Sequence, residues 1–317
     1  MAGSRSGIRP RSAGKCFAVA VAALLTAFAG TASATTGGAA TDVGGPPLPP
    51  SQPGAPAPGA PSAGTLSLLS ATASPHKSFF YGIRYPSLRF EIGSTQAQND
   101  LRIDVVDSTG AVVKTYYRND VAPETSVSIR WDQMTSEKRP APNGRYSFRV
   151  GAQGAPRALA RNATAATEPL SLGFELYGYA FPVLGPHNFG DAAARFGAPR
   201  SGHTHQGQDT MAPCGTPLVA ARGGKVQYSG FEGNAGNYVV IDGMGTSFDF
   251  MYAHLAQPSP LKTGAAVRTG QPIGIVGDTG DATACHLHFE IWTAPGWYEG
   301  GHPIDPLPYL KKWDAYS

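Results

Sequence analysis

The chain has 317 residues, of which 15% are charged and 41% hydrophobic, with 40 glycines, 28 prolines and a formal net charge of +3. This length allows about two domains, and the hydrophobic fraction excludes a wholly disordered chain. Four basic residues lie in the first 34, which hold no acidic residue, so the rest of the chain is close to neutral. Because no basic cluster remains there, we expect no nucleic-acid partner.

Residues 1–34 have the three parts of a secretory signal peptide: a basic start, an apolar run from Phe17 to Gly30, and small residues up to Ala34. The apolar run is shorter than the roughly 20 residues that span a bilayer. A retained membrane anchor is the alternative. We predict cleavage after Ala34, an extracellular product, and no stable membrane insertion once the signal is removed.

Cysteine usage agrees with export. Cys16 leaves with the predicted signal peptide, and Cys214 and Cys285 remain as an even pair. In an oxidising compartment such a pair predicts a disulfide. Two buried free thiols are the alternative, because sequence alone does not place the two Cα atoms within bonding range.

Residues 35–64 are rich in Pro, Gly and Ala and predict an extended linker. Residues 65–160 then alternate apolar and polar positions in short runs separated by turn residues, which predicts an immunoglobulin-like β-sandwich. The runs are LRFEI, LRIDVV, AVVKTYY, SVSIRW and RYSFRV. The stretch from Leu101 to Val150 resembles the immunoglobulin-like domain of flagellar-hook capping proteins. That resemblance indicates a fold more than an activity.

Residues 175–312 form the second predicted domain. Glycine recurs every few positions between short β-rich runs, and the only helical signal is a turn near Asp191 to Phe196. Hairpins with tight glycine turns explain this pattern. The predicted fold class of the whole protein is therefore all-β.

Seven of the eight histidines follow residue 186. His286 and His288 lie two apart in a strand-like run, so both side chains share one face. His205 and Asp209 lie in an irregular segment that enters a strand. Two imidazoles and one carboxylate would leave a tetrahedral zinc ion with an open fourth position for water. Taken alone, a His-x-His pair more often serves packing or lies on the surface.

The spacing of the motifs HTHQGQDT, YAHL and HLHFEI, between His203 and Ile291, resembles the lysostaphin-like zinc endopeptidases of peptidase family M23. The resemblance implies an antiparallel β-sheet peptidase domain. It also implies roles for individual residues: one zinc ion per chain is held by His205, Asp209 and His288, and the catalytic pair that handles protons is His254 and His286.

Several assignments stay open. The resemblance does not decide which catalytic histidine is the general base. Arg200, in the run GAPR, is equally well interpreted as a substrate contact or as an ordinary surface residue. His203 and His302 are expected to be bystanders. Cys285 is a poor candidate ligand, because its side chain should point away from the face of His286.

The resemblance therefore implies a secreted, cell-wall-associated zinc metalloendopeptidase. It would hydrolyse peptide cross-links of bacterial peptidoglycan with a zinc-activated water and two assisting histidines. Its partners would be stem or cross-bridge peptides, with a possible wall or protein ligand for the sandwich. The alternative is a non-catalytic or latent cell-wall-binding regulator of other murein hydrolases.

Overall fold

A computed structural model of the protein describes residues 66–154 and 172–317. The predicted signal peptide at 1–34 and linker at 35–64 lie outside the described residues. The described residues all fall in one compact unit, Pro61–Ser317. They are mostly β-strand, as predicted, and no helix among them has the length and apolar character needed to cross a bilayer.

Two sheets form the N-terminal part, a three-stranded sheet in the order β1-β3-β6 and a five-stranded sheet in the order β2-β8-β7-β4-β5. Strands β2 and β8 are parallel and the other pairs are antiparallel. The strands are β1 (Ser67–Ser74), β2 (Lys77–Phe79), β3 (Ser87–Gly93), β4 (Asn99–Asp107), β5 (Val112–Val121), β6 (Val127–Arg130), β7 (Gly144–Ala152) and β8 (Gly173–Tyr177).

One apolar core lies between these two sheets and includes the fully buried Trp131. The alternation seen in the sequence explains it, since every second residue of β3 and β7 is buried. Strand β8 pairs with β7 and β2, and its Phe174 and Leu176 point into the same core. Residues 173–177 therefore belong to the N-terminal sheets, although the predicted sandwich ends at residue 160. The division at 65–160 and 175–312, and the immunoglobulin likeness, stay predictions.

A larger sheet dominates the C-terminal part, in the order β11-β18-β15-β14-β13-β16, with β19 paired to β18. The elements are β9 (Pro199–Arg200), β10 (His203–Thr204), β11 (Gln208–Met211), β12 (Pro217–Val219), β13 (Gly224–Glu232), β14 (Gly236–Gly243), β15 (Phe248–Leu255), β16 (Ala266–Val267), β17 (Pro272–Ile275), β18 (His286–Thr293), β19 (Pro303–Ile304), a 3₁₀ turn (Ala192–Ala194) and helix α1 (Leu307–Asp314). The 3₁₀ turn lies where the sequence indicated a turn, whereas α1 was not predicted.

The two faces of this sheet have different roles. One face is packed into the main core, where Phe250, Tyr252 and Phe289 meet Leu310 and Trp313 of α1. The opposite face carries a smaller apolar cluster of Tyr238, Val240, Met251 and Ala253. Strands β14 and β15 are thus covered on both sides, which explains their nearly continuous burial. The candidate functional residues lie on this second face.

Arg222 connects the N-terminal and C-terminal parts. Its side chain is 4% exposed and donates hydrogen bonds to the carbonyl oxygens of Gly178 and Met244. Its guanidinium lies 4.3 Å from the ring centroid of Phe80. Beside it, the Thr269 hydroxyl donates to the Phe80 carbonyl at 2.6 Å. The planar head of Arg222, with its several donors, makes its two carbonyl contacts and its contact with the Phe80 ring at once.

We expect the substitution Arg222→Lys to lower the free energy of unfolding by about 2–3 kcal/mol, because lysine leaves buried carbonyl groups without donors. Urea denaturation followed by tryptophan fluorescence measures the change. Arg89→Lys, at an exposed position of β3, is the matched control. Equal unfolding free energies for the two variants would contradict this role of Arg222.

Candidate metal and catalytic site

The site is built on two neighbouring strands, β11 and β18. Their antiparallel register places Asp209 directly opposite His288 and Met211 opposite His286. His286 and His288 therefore share a face with Asp209, as the spacing of the two histidines predicted. His205 precedes β11 and is 5% exposed. Its Nδ1 donates to the carbonyl oxygen of Arg195 at 2.8 Å.

Three side-chain atoms converge at one point of this face. His205 Nε2 lies 3.0 Å from Asp209 Oδ1 and 2.9 Å from His288 Nδ1. His288 Nδ1 lies 2.9 Å from Asp209 Oδ1, which closes the triangle. The structure thus brings the three predicted metal ligands together in a group whose geometry could hold a metal ion.

In each imidazole, the partner of the nitrogen that points away from the triangle determines whether the other nitrogen carries a lone pair or a hydrogen. The Arg195 carbonyl can only accept, so His205 Nδ1 carries a hydrogen and Nε2 keeps its lone pair. His288 Nε2 lies 2.9 Å from Glu290 Oε1, which fixes its hydrogen on Nε2 and turns Nδ1 towards Asp209. Three electron-rich atoms at this separation repel one another unless a proton or a cation lies between them. The residues therefore fit a divalent cation.

The ionisation of these groups follows from their surroundings. Burial raises the pKa of Asp209, but the hydrogen bond from His288 and the positive charge of His288 outweigh burial and hold that pKa well below its usual range. Burial lowers the pKa of His288, but Asp209 and Glu290 on its two sides raise it to about 9. In the metal-free protein a proton on His288 thus takes the place that a cation would fill.

Two further side chains orient the carboxylates. Arg200 Nη2 lies 3.2 Å from Asp209 Oδ2, which leaves Oδ1 directed at the two imidazoles. This contact with Asp209 was not predicted, since the two roles left open for Arg200 were a substrate contact and an ordinary surface residue. Trp292 Nε1 donates to Glu290 Oε2 at 2.6 Å. Glu290 is recognisable by extending the alternation of His286 and His288 by one step, whereas nothing in the sequence marks the Arg195 carbonyl.

His254 reaches the site through an unusual backbone conformation. Strict alternation along β15 would place it on the face of Phe250 and Tyr252, inside the main core. Its φ of +60° breaks the alternation, and its ring lies 4.7 Å from that of His286 and 5.8 Å from that of His288. Left-handed backbone is costly for a residue other than glycine and concentrates at functional sites.

Carbonyl groups also fix the hydrogens of the two predicted catalytic histidines. His254 Nδ1 donates to the Thr279 carbonyl at 2.8 Å, and His286 Nδ1 donates to the Ala284 carbonyl at 2.8 Å. Both Nε2 atoms therefore keep lone pairs, and His286 Nε2 lies 3.6 Å from Asp209 Oδ1. Burial lowers the pKa of His254 to about 4, with the charge of His288 adding to the effect.

The remaining candidates lie outside this group. His203 is exposed on β10, where its Nδ1 contacts the Ser201 carbonyl, and His302 contacts Thr293. Cys214 and Cys285 form a disulfide, with their Cα atoms 5.2 Å apart. The bridge lies one residue before His286 and takes both sulfur atoms out of consideration as metal ligands.

Part of the chain is similar to known proteins. Residues 203–306 match the family model of peptidase family M23. The peptidoglycan DD-endopeptidase ShyC of Vibrio cholerae is 45% identical over 87 residues, which are 27% of this chain and 20% of that protein. The cell division protein DipM of Caulobacter vibrioides is 31% identical over 160 residues, 49% of this chain and 25% of that protein. These matches support the M23 peptidase family for the segment.

The catalytic domain of lysostaphin from Staphylococcus simulans is a solved structure that resembles the chain. It shares 30% sequence identity with a TM-score of 0.34, covering 40% of this chain and 92% of that domain. The chain spans about a fifth to a quarter of the length of the two curated relatives it matches. The segment that matches the M23 family model includes all five predicted metal and catalytic residues.

Gly207 lies against the ring of His288, and there is no space for a side chain at this position. A Cβ atom at this position would lie 2.5 Å from the Phe289 carbonyl oxygen and 2.8 Å from the His288 ring. We expect Gly207→Ala to displace that ring and to weaken metal binding about 10- to 100-fold. Competition with a fluorescent chelator measures the affinity. Gly233→Ala, where a Cβ meets nothing within 4 Å, is the control and should bind normally.

Metal affinity should also depend on pH. Since the raised pKa of His288 keeps it protonated below about pH 9 in the metal-free protein, binding must release that proton. The apparent affinity should therefore rise roughly tenfold per pH unit between pH 6 and 8. Isothermal titration in buffers of different ionisation enthalpy counts the released protons. An affinity that does not change with pH would contradict the assignment of His288 Nδ1 as a ligand.

Proposed function

We propose that the protein is a secreted zinc metalloendopeptidase that hydrolyses peptide cross-links of bacterial peptidoglycan. The observation that carries the proposal is the convergence of His205 Nε2, Asp209 Oδ1 and His288 Nδ1 beside the rings of His254 and His286. The match to peptidase family M23 supports a peptidase. The name of the ShyC relative supports peptidoglycan as the substrate.

His205, Asp209 and His288 would hold the ion, and two imidazoles with one carboxylate are a donor set that suits zinc. A bound zinc ion would polarise the scissile carbonyl group and lower the pKa of a water molecule towards neutrality. Three protein ligands leave a tetrahedral coordination shell open at one position. Arg200 and Glu290 would keep the ligand atoms oriented from behind.

His254 and His286 would handle the protons of the reaction. The carbonyl groups of Thr279 and Ala284 hold the Nδ1 hydrogens, so each Nε2 is free to accept a proton. Amide hydrolysis needs one group to take a proton from the attacking water and one to deliver a proton to the leaving amine. The low pKa of His254 keeps its imidazole neutral near pH 7.

The N-terminal part would serve the enzyme outside the cell. The composition of residues 1–34 supports export, and the linker at 35–64 would act as a spacer. The immunoglobulin-like sandwich would position the peptidase or bind wall polymer or a protein. The contacts of Arg222 with the Phe80 ring and of the Thr269 hydroxyl with the Phe80 carbonyl support a fixed placement next to the peptidase.

Alanine substitutions separate metal binding from proton transfer. We expect His288→Ala to lose zinc and hydrolysis together, because it removes a ligand. His254→Ala should keep zinc and lose hydrolysis at least about 100-fold, because it removes a group that carries protons. Zinc is counted by mass spectrometry of the metal, and hydrolysis is followed as newly freed amines from purified peptidoglycan.

His203→Ala, an exposed histidine close in sequence, is the control and should retain zinc and activity. A chain that binds zinc but frees no amines from peptidoglycan would favour the regulator, the alternative function. Loss of zinc in His254→Ala would instead show that the ligand and proton-transfer roles are wrongly divided.

A further inference from the structure

The two histidines assigned to proton transfer depend on one loop. This loop, residues 278–285, lies between β17 and β18. Gly277 and His286, the residues on either side of it, pair as an isolated β-bridge. This loop supplies both carbonyl groups that hold these rings, Thr279 for His254 and Ala284 for His286. Each contact is 2.8 Å long, so a displacement of the loop would release the orientation of both imidazoles.

The metal ligands depend on other segments. His205 is held by the Arg195 carbonyl, His288 by Glu290, and Asp209 by Arg200. None of these three contacts involves the loop at 278–285. Orientation of the metal ligands and orientation of the proton-transfer pair are therefore separate in the structure.

The loop has little apolar packing of its own, since its residues are exposed or half-buried. Besides the backbone hydrogen bond from the Asp281 N–H to the Asn234 carbonyl at 2.9 Å, two attachments that involve side chains hold it. Near its start, the Thr279 hydroxyl donates to the Leu255 carbonyl at 2.7 Å and accepts from the backbone N–H of Asn237 at 3.0 Å. At its end, the disulfide ties Cys285 to Cys214, in the turn between β11 and β12. One attachment is the side chain of Thr279, whose carbonyl holds His254, and the other is at Cys285, next to Ala284.

We propose that the Cys214–Cys285 disulfide and the Thr279 hydroxyl are positioning groups that fix His254 and His286 for proton transfer while leaving the metal ligands unaffected. This inference rests on the proposed function of the site. A misplacement of about 1 Å at a reacting group costs as much as 100-fold in rate. Loss of either attachment should therefore lower turnover without removing zinc.

The test compares two variants at opposite ends of the loop. The double variant Cys214→Ser with Cys285→Ser removes the bridge. It leaves no free thiols, and this matters because two free thiols together with Asp278 could bind a second metal ion. Thr279→Val removes the hydroxyl but keeps the side-chain shape. Thr283→Val makes the same change at an exposed position of the same loop and is the matched control.

Three properties are measured on the full chain: zinc per chain, kcat and KM on peptidoglycan fragments, and the ¹⁵N signals of the histidine rings. We expect the double variant and Thr279→Val to keep one zinc, to keep KM within about twofold, and to lose about 10- to 100-fold in kcat. The ring signals of His254 and His286 should show mixed tautomers, while those of His205 and His288 stay unchanged.

Loss of zinc or of folding in both variants would overturn the inference, because the attachments would then serve stability alone. Unchanged kcat and unchanged histidine signals would overturn it as well. The histidine signals do not depend on hydrolysis, so they test the positioning role even if the wild-type protein frees no amines. That last result would count against the proposed function only.

Discussion

Mutual repulsion among three electron-rich atoms is the constraint on which the site depends. His205 Nε2, Asp209 Oδ1 and His288 Nδ1 lie 2.9–3.0 Å apart. The two imidazoles cannot turn away, because the Arg195 carbonyl and Glu290 hold their opposite nitrogens. Only a positive charge between the three atoms relieves the repulsion. The surrounding fold therefore holds three acceptor atoms in a fixed arrangement that suits a cation.

The seven-stranded sheet makes this arrangement rigid. Cross-strand pairing sets Asp209 against His288, and the aromatic core beneath the sheet leaves β18 little freedom to shift. On the second face a small residue, Ala253, lies beside the ligands, because it pairs with His288. Precise placement of ligands on paired strands is what a metal site requires.

Some of the site could be predicted from local sequence and some could not. The two-residue period of a strand is enough to place His286 and His288 on one face, and extending it also identifies Glu290. The pairing of Asp209 with His288 depends on strand register, which no local pattern specifies. His254 is harder still, because its left-handed backbone reverses the face that alternation assigns to it. Only its resemblance to a motif identified it.

The fold shows the same limit. Regular alternation and turn residues were sufficient for β3 to β7, but they did not identify β1 and β2. Strand β8 is separated from the other strands in sequence and is recognised only by its pairing. Helix α1 spans eight residues, too few for a clear helical period, and forms because Leu310 and Trp313 are buried against the sheet. Backbone carbonyl groups that orient side chains, such as that of Thr279, carry no signal in residue type.

X-ray absorption at the zinc edge of the full-length, zinc-loaded chain tests the central claim most directly. We expect one zinc ion per chain with two imidazole nitrogens at about 2.0–2.1 Å and a carboxylate oxygen at about 2.0–2.2 Å. No sulfur should be found at about 2.3 Å, because both cysteines near the site form the disulfide. A sulfur ligand, a single imidazole, or a chain that takes up no zinc would contradict the account.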